Sequence, residues 1–317
     1  MKLIVAGVAT ALTLLGTATS QAQQKREFVW GAPTVASSYY WDILTAIELG
    51  YMDAENISVK IVNNDTPVQS IQFLATGAIN MSSINTEVGL SAMQKGADFK
   101  FVGSEDDKIA FVLMARPEIA SYADLRGKTL GVTAIQESTA TMIRLLLEKN
   151  GVQKNEYQAI ALGGSPNRYA ALVRGAVAAT MLSPPFDYKA QADGMKRLGN
   201  AFDAFGGVGV AFAVQDSWAK ANADLLVGFL RAAAKAEKFL YDPSSKQKAV
   251  EILVKYTKSP ADDLAKSYDS FYRTDRIMSP DLELTDKLLQ PWLDLSGSSE
   301  KPGRYIDSSY WKRALGR

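Results

Sequence analysis

The 317-residue sequence is 47% hydrophobic and 22% charged with a formal net charge of +1, a profile that gives an ordinary globular protein with length enough for two medium domains. It contains no His and no Cys, which excludes a cysteine nucleophile, a Ser-His-Asp triad, a disulfide framework and a zinc site built on nitrogen or sulfur. Near-neutral charge without Lys/Arg blocks argues against a nucleic-acid surface or a polybasic membrane contact, and the pattern calls for no cofactor.

Residues 1–22 have the form of a cleavable export signal: Lys2 at the start, an apolar run over 3–15, and a small-x-small site at Ser20-Gln21-Ala22, with a cut after Ser20 as the alternative. Loss of Lys2 leaves 34 basic residues facing 34 acidic ones. A strand is expected over 28–32, a polar loop over 33–37 and a helix over 38–49 that stops at Gly50. Thr34, Ser37 and Ser38 offer hydrogen-bonding groups at this corner. Trp30, Tyr39, Tyr40 and Trp41 form an aromatic cluster that either stacks on a ligand or anchors the helix to its sheet, and Tyr39 is nearest the loop.

The period-2 alternation over 57–62 predicts a second strand, followed by a helix over 68–76 and a strand over 80–84 that ends at Asn85 and Thr86. Glu87 opens a helix over 88–95, where the positive end of the helix dipole suffices to explain a carboxylate. If Glu87 faces a cleft instead, the ligand should carry an amine or another donor. Strands over 99–103 and 109–115 flank a first crossing between lobes.

A strand over 128–132, a loop over 133–136 and a helix from Glu137 follow, with Ser138 or Thr139 placed to cap the first turn. Met142, Leu145 and Leu146 share its inner face, Ile143 and Leu147 widen it, and Gly151 ends it in a left-handed conformation. Next come a strand over 158–162, a turn-rich loop over 163–167, and Arg168 near the cleft as a candidate salt-bridge partner for an anionic ligand, a solvated arginine being the commoner outcome. A strand over 178–182 stops at Ser183-Pro184-Pro185. Residues 191–197 are expected to be helical, 204–210 to form a second crossing, and 211–214 a returning strand. From Asp216 onward helices dominate, thickening the first lobe without visible chemistry.

The chain repeats itself. Gly31 and Gly131 lie 100 residues apart, as do Ser38 and Ser138, and Leu74-x-x-Gly77-Ala78-Ile79 echoes Leu172-x-x-Gly175-Ala176-Val177. Two α/β units imply two lobes, 23–107 with 208–317 and 108–207, joined by two crossovers. In open α/β sheets ligands bind outside the carboxyl ends of the strands, so the crevice between those ends is the expected site.

Asp124-Leu125-Arg126-Gly127-Lys128 with Gly131-Val132, Gly50-Tyr51-Met52, the two Leu-x-x-Gly arms and Pro184-Pro185 together resemble the solute-binding proteins of ABC importers, in the nitrate/sulfonate/taurine branch also called NMT1/THI5-like. The resemblance runs from about Phe28 to Leu315. It implies an α/β two-lobed periplasmic binding fold of type II and a non-catalytic monomer that hands a small organic solute to a membrane permease. It implies a cleft lined by the loops that hold Thr34, Ser37, Ser38, Tyr39, Asn85, Thr86, Gln136, Glu137, Ser138, Thr139, Ser183 and Pro184. Arg168 and the aromatics lean toward an organic acid with an apolar or aromatic body, Glu87 and Glu137 toward a ligand that also bears an amine. The Cys- and His-bearing elements of the family's pyrimidine synthases are missing, which counts against that activity. An enzyme on the same fold using Glu87 or Glu137 as a base, and a sensory module that signals to a receptor, are the rival readings.

Overall fold

The structure, a computed structural model, describes residues 24–32, 37–64 and 67–317. The expected export signal and the loop position Thr34 lie outside the described residues. The first unit runs β1 (Arg26–Ala32), a 3-10 turn (Ser38–Tyr40), α1 (Trp41–Glu48), α2 (Tyr51–Ala54), β2 (Ile57–Asn63), α3 (Pro67–Thr76), β3 (Met81–Asn85), α4 (Thr86–Gln94) and β4 (Phe99–Ser104). The second runs β5 (Val112–Ala115), β6 (Thr129–Val132), α5 (Ser138–Lys149), β7 (Gln158–Ala161), α6 (Ser165–Val173), β8 (Ala179–Leu182), α7 (Phe186–Ala192) and β9 (Lys196–Asn200), before the chain returns as β10 (Val210–Gln215).

Two five-stranded sheets result, ordered β2-β1-β3-β10-β4 and β7-β6-β8-β5-β9. The repeat seen in the sequence is a repeat of pairing: β1 lies parallel to β2 and β3, and β6 parallel to β7 and β8. Gly31 pairs with Ser82 as Gly131 pairs with Thr180. Both glycines are required by close approach. A Cβ on Gly31 would sit 2.6 Å from Ile79 Cδ1 and 2.7 Å from Asn64 Nδ2, and one on Gly131 would sit 2.8 Å from Leu162 Cδ1. The fourth strand of each sheet runs antiparallel and lies next to a crossing: β10 joins the first sheet straight after the chain leaves the second, and β5 enters the second straight after the chain leaves the first. The two crossings, over 105–111 and 201–209, are clamped together where the Asp106 carboxylate accepts hydrogen bonds from the backbone N–H of Gly209 (2.6 Å) and Val210 (3.3 Å).

After β10 come α8 (Asp216–Ala221), α9 (Ala223–Tyr241), α10 (Lys246–Thr257), α11 (Ala261–Asp269), a π-helical turn (Ser270–Thr274), α12 (Asp286–Leu295) and α13 (Ser309–Leu315). Helix α9 packs on α1, α2 and α13, and Phe229 stacks on Phe28 of β1 with ring centroids 4.1 Å apart, so this layer covers the first sheet as expected. The helices also reach further than a covering layer: α11 packs on α7 of the second unit, and Trp292 of α12 meets Phe205 in the second crossing at 4.4 Å.

Four local expectations are corrected. The strand expected over 109–115 is regular only from Val112, because residues 109–111 belong to the crossing. The helix expected over 191–197 ends at Ala192. Gly194, at φ 84°, breaks it, and Lys196–Asn200 pairs with β5 as an edge strand whose half-exposed, polar text gave no alternation to read. Neither Ser138 nor Thr139 caps α5. Glu137 is the N-cap through its backbone, and Thr139 Oγ1 instead accepts the Thr133 N–H at 2.8 Å. Leu145 is only half-buried, whereas Met142, Ile143, Leu146 and Leu147 are buried.

Candidate functional site

A cavity of about 190 Å³ lies between the carboxyl ends of the strands of the two sheets. Residues of the first unit lining it include Ser37, Tyr39, Tyr40, Asn85, Thr86 and Glu87; those of the second include Thr133, Ser138, Gly164, Ser165, Arg168 and Ser183. The crossings add Ile109, Phe111, Gly209 and Val210, and α12 adds Trp292. Three helices start at this cavity: α4 at Thr86, α5 at Ser138 and α6 at Ser165. Their first N–H groups have no partner within the helix, so hydrogen-bond donors and partial positive charge converge there. Asn85 Nδ2 donates to Ser138 Oγ at 3.4 Å, which brings the starts of α4 and α5 together across the two units.

Of the sequence-derived candidates, Ser37, Tyr39, Asn85, Thr86, Ser138, Arg168 and Ser183 line the cavity. Thr34 is outside the described residues. Ser38, Pro184 and Thr139 are not among the lining residues: Ser38 and Pro184 are buried, the latter ahead of the Pro184-Pro185 cis bond, and Thr139 accepts the Thr133 N–H. Gln136 turns to an outer groove beside Val68 and Lys95. Glu137 stays half-buried behind the cavity wall, close enough to Glu87 and Arg168 to act on both electrostatically. Tyr39, preferred over Trp41 for ligand contact, does face the cavity; its hydroxyl accepts the Ala110 N–H at 2.8 Å and its ring meets Phe271 edge-on. Trp41 is a helix anchor, its indole N–H donating to the Ala249 carbonyl at 2.8 Å.

Arg168 is not the solvated arginine that is the commoner outcome at such a position. The side chain is 2% exposed, and its N–H groups donate to Met181 O (2.9 Å), Thr133 Oγ1 (2.6 Å), Ser165 Oγ (3.0 Å) and the Gly163 carbonyl. It ties the loops after β6 and β7 to β8, and it is neither solvated nor held in reserve. Burial lowers its pKa to about 10, with Glu137 opposing that shift. Glu87, for which the helix dipole is a sufficient explanation and a cleft-facing carboxylate the alternative, lines the cavity with a buried Oε2 that has no partner. Burial, and then the neighbouring Glu137, push its pKa to about 7.

Thr133 and Ser165 were missed although each follows a strand's carboxyl end as Asn85 does; position alone could have found them. Phe111 and Trp292 carried no local signal, since only tertiary folding brings a crossing and a C-terminal helix to the cavity. Trp292 overturns the reading of the C-terminal helices as free of site residues.

A second polar cluster lies inside the first unit, away from the cavity lining. Asp42, Glu105 and Glu237 are fully buried. Trp30 Nε1 donates to Ser83 Oγ (3.0 Å) and Ser83 Oγ donates to Glu105 Oε1 (2.6 Å), while the neighbouring Asp42 has both carboxyl oxygens buried without a partner. Burial lifts Asp42 to about 6 and Glu105 and Glu237 well above the usual carboxylate range. Among the described residues no group of three or more acidic side chains is arranged to hold a metal ion.

Paired sheets of repeated order, two crossings and a cavity between the strand ends define the two-lobed periplasmic-binding-protein fold. The chain belongs to the NMT1/THI5-like family, whose model matches residues 37–245. No curated protein matches the sequence. Among solved structures it is similar to the ligand-binding component of an ABC-type import system from Staphylococcus aureus, with TM-score 0.76, 15% identity, and 92% of this chain and 99% of that one covered. The periplasmic aliphatic sulphonate-binding protein SsuA from Escherichia coli superposes with TM-score 0.74 at 17% identity, covering 92% and 99%. For the periplasmic nitrate-binding protein NrtA from Synechocystis PCC 6803 the values are 0.73 and 13%, covering 92% and 89%.

Proposed function

We propose that this protein is the substrate-binding component of an ABC importer: an exported, periplasmic monomer that captures a small organic solute between two lobes and delivers it unchanged to a membrane permease. The lobes in this reading are residues 23–107 with 208–317, and residues 108–207. The observation that carries it is the cavity lined from both units and from both crossings, with three helix starts and several hydroxyls aimed inward. Such a site grips a solute from two sides, and lobe movement about the crossings is the motion that would admit and bury it. Family membership and the binding roles of the similar structures support the same reading. Among the described residues no helix is long and apolar enough to cross a membrane.

The test is a thermal-shift screen of sulfonates, carboxylates, amines and aromatic solutes on the mature chain, followed by mass spectrometry of the bound compound. A solute present at 100 times its Kd should stabilise the fold by roughly 2.7 kcal/mol and be recovered intact. Recovery of a converted product would replace the reading with an enzyme.

A further inference from the structure

The cavity's polar groups do not balance, and the imbalance describes what would fill it. Arg168 is the one cation among the described lining residues, and four of its N–H groups are already committed to Met181, Thr133, Ser165 and Gly163. A guanidinium has five N–H groups, and fork-like recognition of a carboxylate or sulfonate needs two of them in parallel. At most one remains, so the usual reason for an arginine in an anion site is absent here.

On the opposite wall the side-chain oxygens without a partner can accept, set against the backbone donors at the starts of α4, α5 and α6. Thr86 Oγ1 and Glu87 Oε2, adjacent at the start of α4, are both buried in the cavity lining without a partner. A buried acceptor left unsatisfied is costly, more so when charged, and a ligand donor placed there recovers that cost. Around this pair the walls are Tyr39, Tyr40, Phe111 and Trp292, which suit a flat or apolar body.

We propose that the solute is a small apolar or aromatic molecule bearing an amine or amidine-type nitrogen, whose N–H groups are received by Glu87 and Thr86, while Arg168 braces the opposite wall and is not an anion receptor. The proposal rests on the solute-binding reading above and narrows it. Glu137 strengthens it, because a second carboxylate near Glu87 adds negative potential that a cationic nitrogen relieves and an oxyanion worsens.

The experiment compares probes that share a skeleton: benzylamine and benzamidine against benzoate and benzenesulfonate, and propylamine against propionate and propanesulfonate, by calorimetry on the mature protein at pH 6 and pH 8. The expected result is binding of at least one nitrogen probe in preference to its acidic counterparts, tighter at pH 8, where Glu87 is ionised and an aliphatic amine still carries its proton. Glu87→Gln should then weaken it tenfold or more while the melting temperature of the free protein is kept or raised. Preferential binding of benzoate, a sulfonate or propionate overturns the proposal and leaves solute capture standing, as does a nitrogen probe whose affinity ignores Glu87→Gln. Silence from every probe overturns the proposal and counts against solute capture as well.

Discussion

Asp42 shows how one buried side chain can tie stability to pH. Its folded pKa, about 6, lies above the ordinary carboxylate value, so the folded chain keeps a proton that the unfolded chain has released. Its favourable contribution is complete below about pH 4, falls as pH rises, and is gone above about pH 6. Glu105 and Glu237 act in the same direction. Asp42→Asn, which keeps the shape and cannot ionise, should therefore lose less stability between pH 4 and pH 7 than the parent chain, measured as urea midpoints across that range. Arg168 makes the complementary case: Arg168→Lys cannot reproduce four divergent hydrogen bonds, and a loss of about 2–4 kcal/mol is expected in thermal unfolding even without any solute. Both residues were visible in the sequence, but their roles were not. Nothing in the sequence pairs Asp42 with Glu105, which the fold places beside it, and an arginine at a helix start reads as solvated until the loops close over it.

At the level of elements the sequence was most legible where chemistry is local. The glycine stops at Gly50, Gly77, Gly151 and Gly175 all take positive φ, and the strands around Gly31 and Gly131 fall within two residues of expectation, because turn geometry and apolar runs are written in consecutive residues. The edge strand β9 was not legible, since its pairing is supplied by β5 and its own text, Lys196-Arg197-Leu198-Gly199-Asn200, has no buried face to announce. The cavity was half legible: strand-end hydroxyls follow a positional rule, whereas Phe111 and Trp292 come from the crossing and from α12. Packing at the duplicated glycines gives an element-level prediction. Gly31→Ala should destabilise by about 1–3 kcal/mol, because the added carbon meets both Ile79 and the buried amide of Asn64. Gly50→Ala, with open space around it, should show only the cost of its left-handed backbone, about 1 kcal/mol. Chemical denaturation of the two variants side by side checks the order.

For the whole molecule, the 100-residue echo stated the architecture before any single element was certain, because a duplicated unit has to pair its strands the same way twice. The mechanical expectation belongs to this scale. A solute held by both units must favour the form in which they meet, so a bound probe should lower the radius of gyration in small-angle scattering; unchanged scattering on saturation would mean that the two forms bind it equally. The placement of β10 carries a different consequence, for the order in which the molecule assembles. Within the first sheet β4 touches only β10, and β10 begins at Val210, so this sheet stays split until the whole second unit has been made. The second sheet draws all its strands from residues 112–200, and it alone is complete at that stage of synthesis. Refolding followed by pulsed amide exchange should protect β6 and β8 ahead of β4, because β4 has to wait for a partner strand that begins only at Val210, and pairing across a long stretch of chain is slow.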